Sequence, residues 1–181
     1  EQTAKGEGCT KVGVCGKQPD VAALQDLLVY ILAELSFYAV EGRKVGVIDH
    51  KVNVFTIEAL FSTLTNVDFD AQRFVSLINE ATSLKDALKG KVKDAGGKVD
   101  PLNVPQAFKL EATVERLVKQ GEAVGLKFND KDNPDILSLK HTLLFGMKGV
   151  AAYASHAQIL GKEDDAVYAF IHEALASLPK N

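Results

Sequence analysis

Cys9 and Cys15 are the only cysteines in the chain, and both sit in its opening stretch, EQTAKGEGCTKVGVCGK. Thiolates are soft-metal ligands, and loops that hold iron-sulfur clusters are typically glycine-rich because the backbone must fold closely and aim N–H groups at the sulfurs. Gly6, Gly8, Gly13 and Gly16 meet that need, while Lys5, Lys11 and Lys17 bring positive charge that favours the thiolate form. A cubane or a structural zinc takes four ligands, and Cys-x5-Cys is not a specific signature. On residue types alone the stretch is either part of a metal loop or a loop with two unpaired thiols.

Other chemistry has weaker support. His50, His141, His156 and His172 are too scattered for a helical metal pair and none lies in an H-E-x-x-H pattern, so each reads as structural or surface. The run Glu163, Asp164, Asp165 reads as the acidic first turn of a helix rather than a carboxylate metal site. The glycines before Lys17 lack the G-x-x-x-x-G-K-S/T order, and Asp20 would repel a phosphate at the helix that follows. Ser36, Ser76, Ser83 and Ser155 have no G-x-S-x-G context.

The elements that must position the cysteine loop are helical. Leu24, Leu27, Leu28, Ile31, Leu35 and Tyr38 follow helical spacing behind Pro19 and Asp20, with Gly42 as the expected end. Val21, Leu32 and Ala33 widen that stripe until little polar surface remains, which predicts a central, buried helix. A second helix presents Val54, Ile57, Leu60, Phe61 and Leu64, and a third, beginning near Asp68 or Asp70 and stopped by Gly96 and Gly97, presents Phe74, Leu77, Ile78, Leu84 and Leu88. The proline-containing stretch KVDPLNVPQAF then separates two helical units, about 19–97 and 110–181. A shorter helix from about Leu110 to Gly121 or Gly125 uses Val114, Leu117 and Val118. The fifth, from Asn133 and Pro134 to Gly161, is expected to bury Leu139, Leu143, Met147, Val150 and Ala154, with Gly146 and Gly149 admitting a close neighbour. The sixth buries Val167, Phe170, Ile171, Ala174 and Leu178.

The whole chain of 181 residues, 46% hydrophobic and 25% charged with a net charge of -3, therefore predicts an all-α fold: residues 1–18 as a cysteine and glycine loop and 19–181 as a bundle of about six helices. No basic stripe with interleaved aromatics marks a nucleic-acid partner. Gln25, Asp26 and Glu34 interrupt the most apolar run, so no membrane span is expected, and with no apolar leader the reading is cytoplasmic.

Two blocks carry a family resemblance. EQTAKGEGCTKVGVCGK followed by VAALQDLLVYIL resembles the N-terminus of the hybrid cluster proteins, also called prismane proteins or hydroxylamine reductases. ILSLKHTLLFGMKGVAAYASHAQILGKEDDAVYAFIHEALASL resembles the helical domain of the same family. The resemblance implies that Cys9 and Cys15 are the third and fourth ligands of a 4Fe-4S cluster, the first two belonging to a Cys-x2-Cys pair directly ahead of Glu1. It implies that this chain is the N-terminal fragment of a multidomain oxidoreductase. By the same resemblance, the parent is expected to reduce hydroxylamine to ammonia, or nitric oxide to nitrous oxide, at a hybrid 4Fe-2O-2S cluster whose ligands lie outside this sequence, and the fragment alone is expected to have no complete active site.

The implied partners are the remainder of the parent polypeptide, a small nitrogen-oxide substrate and a redox partner such as an NADH-dependent reductase or a ferredoxin. Truncation would then expose apolar surface around Leu32, Phe37 or Gly146. A carbon monoxide dehydrogenase relative and a stand-alone helical interaction module without catalysis are the alternative readings.

Overall fold

The computed structural model describes residues 11–100, 109–126 and 133–179, and among these residues six helices and no strand occur. They are α1 (Pro19–Lys44), α2 (His50–Ser62), α3 (Ala71–Asp94), α4 (Val114–Val124), α5 (Pro134–Ile159) and α6 (Asp165–Ser177).

Local chemistry sets most of the boundaries. Asp70 caps α3 by accepting from the Gln72 and Arg73 amides at 2.8 and 3.2 Å, so the start expected near Asp68 or Asp70 falls at Asp70. Asp49 caps α2, Asn133 caps α5 and Asp164 caps α6 in the same way. Pro19 and Pro134 occupy first-turn positions, where the missing N–H costs nothing. Gly42 does not end α1, which continues to Lys44, and α4 begins at Val114 rather than near Leu110. Within the acidic run only Asp165 lies in the first turn of α6, since Asp164 is the cap and Glu163 precedes it.

α1 is the axis of the molecule, packing against α3, α4 and α6, while α2 pairs chiefly with α5. Leu24, Leu27, Leu28, Ile31, Leu32 and Leu35 of α1 are all buried, each leucine or isoleucine contributing about 2 kcal/mol of apolar burial. The helix is long and apolar enough to cross a bilayer, contrary to the expectation from its three polar residues, but 78% of that apolar window is covered by the other helices. Gly121 lets α4 lie backbone to backbone on α1: a Cβ there would stand 1.9 Å from the Ala23 carbonyl oxygen.

Two expected faces hold only in part. α5 buries Leu137, Leu144, Met147, Lys148, Ala151 and Ser155, leaving Leu139 and Val150 exposed. Gly146 and Gly149 have no neighbour, since a Cβ at either would meet nothing within 4 Å. In α6, Ile171, Ala174 and Leu178 are buried as expected and Val167 packs partly buried on the core, while Tyr168, His172 and Leu175 also face inward and Phe170 is half exposed. Both helices are apolar almost all round, so spacing alone does not choose the inward side. Leu32, expected as exposed surface, is fully buried beneath the packed helices, whereas Gly146 is exposed and Phe37 partly covered.

Candidate functional site

The cysteine loop enters the described structure at Lys11, so Cys9 and Lys5 lie outside the described residues. Residues 13–17 form a tight turn. The Gly13 amide donates to the Lys17 carbonyl and the Gly16 amide to the Gly13 carbonyl, both at 2.8 Å. Gly16 has φ of +90°, a conformation that suits glycine because no Cβ clashes there. Cys15 is a free, half-buried thiol at the tip of this turn.

Lys17 anchors the turn in a way its sequence context does not announce. Its side chain is buried and its ammonium donates to Gln25 Oε1 of α1 at 2.6 Å. The Gln25 amide in turn donates to the Asp68 carbonyl at 3.4 Å, joining the loop to the connection between α2 and α3. Lys17 therefore acts first as a structural pin, rather than as the general positive charge read from the sequence. A buried ammonium needs such hydrogen bonds to offset the loss of water.

Among the described residues no three His, Cys, Asp or Glu side chains converge on a point where a metal ion would fit. Cys15 alone supplies a soft donor, one of the four that a cubane takes, so the described residues do not by themselves make a cluster site.

The remaining candidates are held in structural roles. His50 pairs with Glu163 at 2.7 Å, and Tyr168 donates to the same carboxylate at 2.8 Å. These bonds, His50 first, hold the Glu163 carboxyl below its usual range. His156 meets Phe61 edge to face with centroids 5.3 Å apart. His141 is half-buried, which pushes its pKa down. Arg43 at the end of α1 clamps Asp165 with two bonds of 2.6 and 2.8 Å. An open groove of about 540 Å³ runs between α2 and α3, with Glu58 and Arg73 on its walls and Lys51 facing Glu80 at 3.7 Å. Neither Cys15 nor the buried polar pairs border it.

A buried polar relay was not visible in the sequence. Ser36 Oγ lies 3.0 Å from His172 Nδ1, and His172 Nε2 lies 3.0 Å from Asn53 Oδ1. The amide oxygen only accepts, so Nε2 carries the proton and Nδ1 accepts from the serine hydroxyl. The order of groups imitates a nucleophile, a base and an orienting residue, but all three are buried among the described helices, which is the setting of a structural link. Burial lowers the His172 pKa to about 3, keeping the ring neutral. A second buried pair joins Lys85 to Glu34 at 3.0 Å across α3 and α1.

Comparison with known proteins decides the lineage. The sequence pattern described as the Prismane/CO dehydrogenase family matches residues 2–181. The chain belongs to the Prismane/CO dehydrogenase family. Within it, the chain is 64% identical over 177 residues to the hydroxylamine reductase of Syntrophobacter fumaroxidans, covering 98% of this chain and 33% of that protein. It is 52% identical over 181 residues to the hydroxylamine reductase of Methanocella arvoryzae, covering 98% of this chain and 33% of the relative. The hydroxylamine reductase of Thermodesulfovibrio yellowstonii is 47% identical over 186 residues, covering 100% of this chain and 33% of its own length. The chain thus spans about a third of the length of the curated relatives it matches. The resemblance seen in the two sequence blocks is borne out at the level of the prismane family.

Proposed function

We propose that these residues are the N-terminal helical part of a hydroxylamine reductase of the hybrid cluster type. The observation that carries this reading is the 64% identity to a hydroxylamine reductase across nearly the whole chain. The overall reaction consumes two electrons and two protons, converting NH2OH to NH3 and H2O by cleaving the N–O bond. The corresponding nitric oxide chemistry is the other reductive outcome open to such a protein.

In this reading Cys9 and Cys15 are two thiolate ligands of a 4Fe-4S cluster, and the other two come from residues outside these 181. The cluster, when bound, supplies an electron relay, while the hybrid cluster and its ligands belong to the remaining two thirds of the protein. The turn at residues 13–17 and the Lys17 to Gln25 bond support the assignment, because they tie the turn that carries Cys15 to α1 through Lys17. The region divides into the loop of residues 1–18 and the helical part of 19–181. A cytoplasmic protein fed by an NADH-dependent reductase or a ferredoxin fits the same reading.

The test is anaerobic reconstitution with iron and sulfide. The full-length protein should show cubane absorbance and consume hydroxylamine with a chemical reductant. Cys9→Ser and Cys15→Ser should each remove the cubane signal, and the 181-residue chain should gain a stable one only when a Cys-x2-Cys pair is fused ahead of Glu1. Unchanged iron and sulfide content in both serine variants would remove the ligand assignment.

A further inference from the structure

The outward side of α5 has the composition of an interior surface. Ile136, Leu139, Leu143, Gly146, Val150, Tyr153, Ala157 and Leu160 recur at alternating intervals of three and four residues, the spacing of a helix-packing seam. Leu139, Tyr153 and Leu160 are 68%, 81% and 78% exposed, Ile136 and Val150 are exposed, Ala157 is half-buried, and Leu143 is half-buried with part of its side chain packed on the core. Between Ile136 and Leu160 the charged residues of this segment are Lys140 and Lys148. Lys148 does not serve the outward face, since it is buried and donates to the Thr63 carbonyl at the end of α2 at 3.1 Å, and Lys140, half-buried, borders the stripe beside Ile136 and Leu143. An uncharged apolar stripe of this length, about 36 Å at the helical rise, is exceptional on a free surface.

We propose that this stripe is the docking surface for an apolar helix from the part of the full-length protein outside these 181 residues. The proposal rests on the reading of the chain as one third of a hydroxylamine reductase. The relatives have two thirds of their length beyond the matched region, which supplies an occupant on the same polypeptide. Tethering gives that occupant an effective concentration on the order of millimolar, so it outcompetes a second copy. Gly146 fits the middle of such a seam, because the open space over it lets a partner backbone approach closely. A membrane surface is a poorer match, since interfacial helices rim their apolar face with several Lys and Arg, and here Lys148 is buried, leaving Lys140 as the one lysine beside the stripe between Ile136 and Leu160.

Tyr153→Cys and, separately, Leu139→Cys place a thiol on the stripe, and Lys93→Cys on the exposed side of α3 serves as the reference. Each is labelled with a maleimide, read by peptide mass, in the 181-residue chain at low micromolar concentration and in the full-length protein. The stripe thiols should react about tenfold or more slowly in the full-length protein at every concentration, as expected for a site exposed only by local opening, while the α3 thiol reacts equally in both. Equal reactivity of the stripe thiols in the two proteins overturns the proposal. So does protection that grows with protein concentration, which assigns the face to a second copy. Hydroxylamine turnover is read on the same samples: a shielded stripe without turnover removes the proposed activity alone, and turnover with an open stripe removes this interface alone.

Discussion

Ser36 and His172, 136 residues apart, meet at 3.0 Å inside the bundle, and through His172 the hydrogen-bonded chain continues to Asn53. One imidazole thereby ties α1, α2 and α6 together in the buried interior.

The pH dependence of stability follows from this ring. His172 has a folded pKa of about 3, below its ordinary value of 6.5, so between these limits the unfolded chain binds a proton that the folded chain does not. Stability is therefore full above about pH 6.5 and falls as pH drops toward 3, by up to about 1.4 kcal/mol per pH unit from this group. Denaturant unfolding at pH 7.5, 6 and 5 should show that slope, and His172→Gln should flatten it while costing about 1–3 kcal/mol at neutral pH through lost hydrogen bonds. An unchanged slope in the variant would assign the pH dependence to other groups.

Two glycines should respond in opposite directions. Gly121→Ala forces a Cβ to 1.9 Å from the Ala23 carbonyl oxygen, and should cost about 2 kcal/mol or more by pushing α4 off α1. Gly146→Ala meets nothing within 4 Å and should stabilise the 181-residue chain by up to about 1 kcal/mol through helix propensity. Thermal midpoints moving the same way for both would contradict the packing described.

The buried Lys85 and Glu34 pair should behave as a unit. Lys85→Met strands the Glu34 carboxylate among α1 and α3, with an expected cost of about 3–5 kcal/mol, and adding Glu34→Leu should recover most of it. A double variant no more stable than the single one would show that the pair stabilises by more than mutual neutralisation.

Tyr30 offers a spectroscopic check on the same carboxylate. Its pKa is pushed up to about 12, first by burial and then by the nearby Glu34 charge. Glu34→Gln should bring the phenol partway down in an ultraviolet titration, because burial remains. No movement would place Glu34 outside the electrostatic reach of Tyr30.

The Lys17 anchor is testable through its neighbour. Lys17→Met removes the 2.6 Å bond to Gln25, and alkylation of Cys15, followed by peptide mass, should accelerate severalfold as the turn loosens. An unaltered rate would mean that the backbone bonds from Gly13 and Gly16 hold the turn without it.

Much of this was legible in the chain itself. The aspartate, asparagine and proline signals mark where α2, α3, α5 and α6 begin, because a cap is chemistry between neighbours in sequence. The leucine run of α1 marks a central helix, because nearly complete apolarity leaves burial as its stable outcome. The cysteine and glycine stretch and the block around Gly146 carry the family. Tertiary structure decided what local patterns do not encode. α5 and α6 are apolar on several sides, so only their neighbours choose which side turns inward. Lys17 reads as a solvated charge until Gln25 is brought beside it. Ser36, Asn53 and His172 read as scattered polar residues because their bonds span 119 and 136 positions, and a hydrogen bond over such separations exists only once three helices have packed.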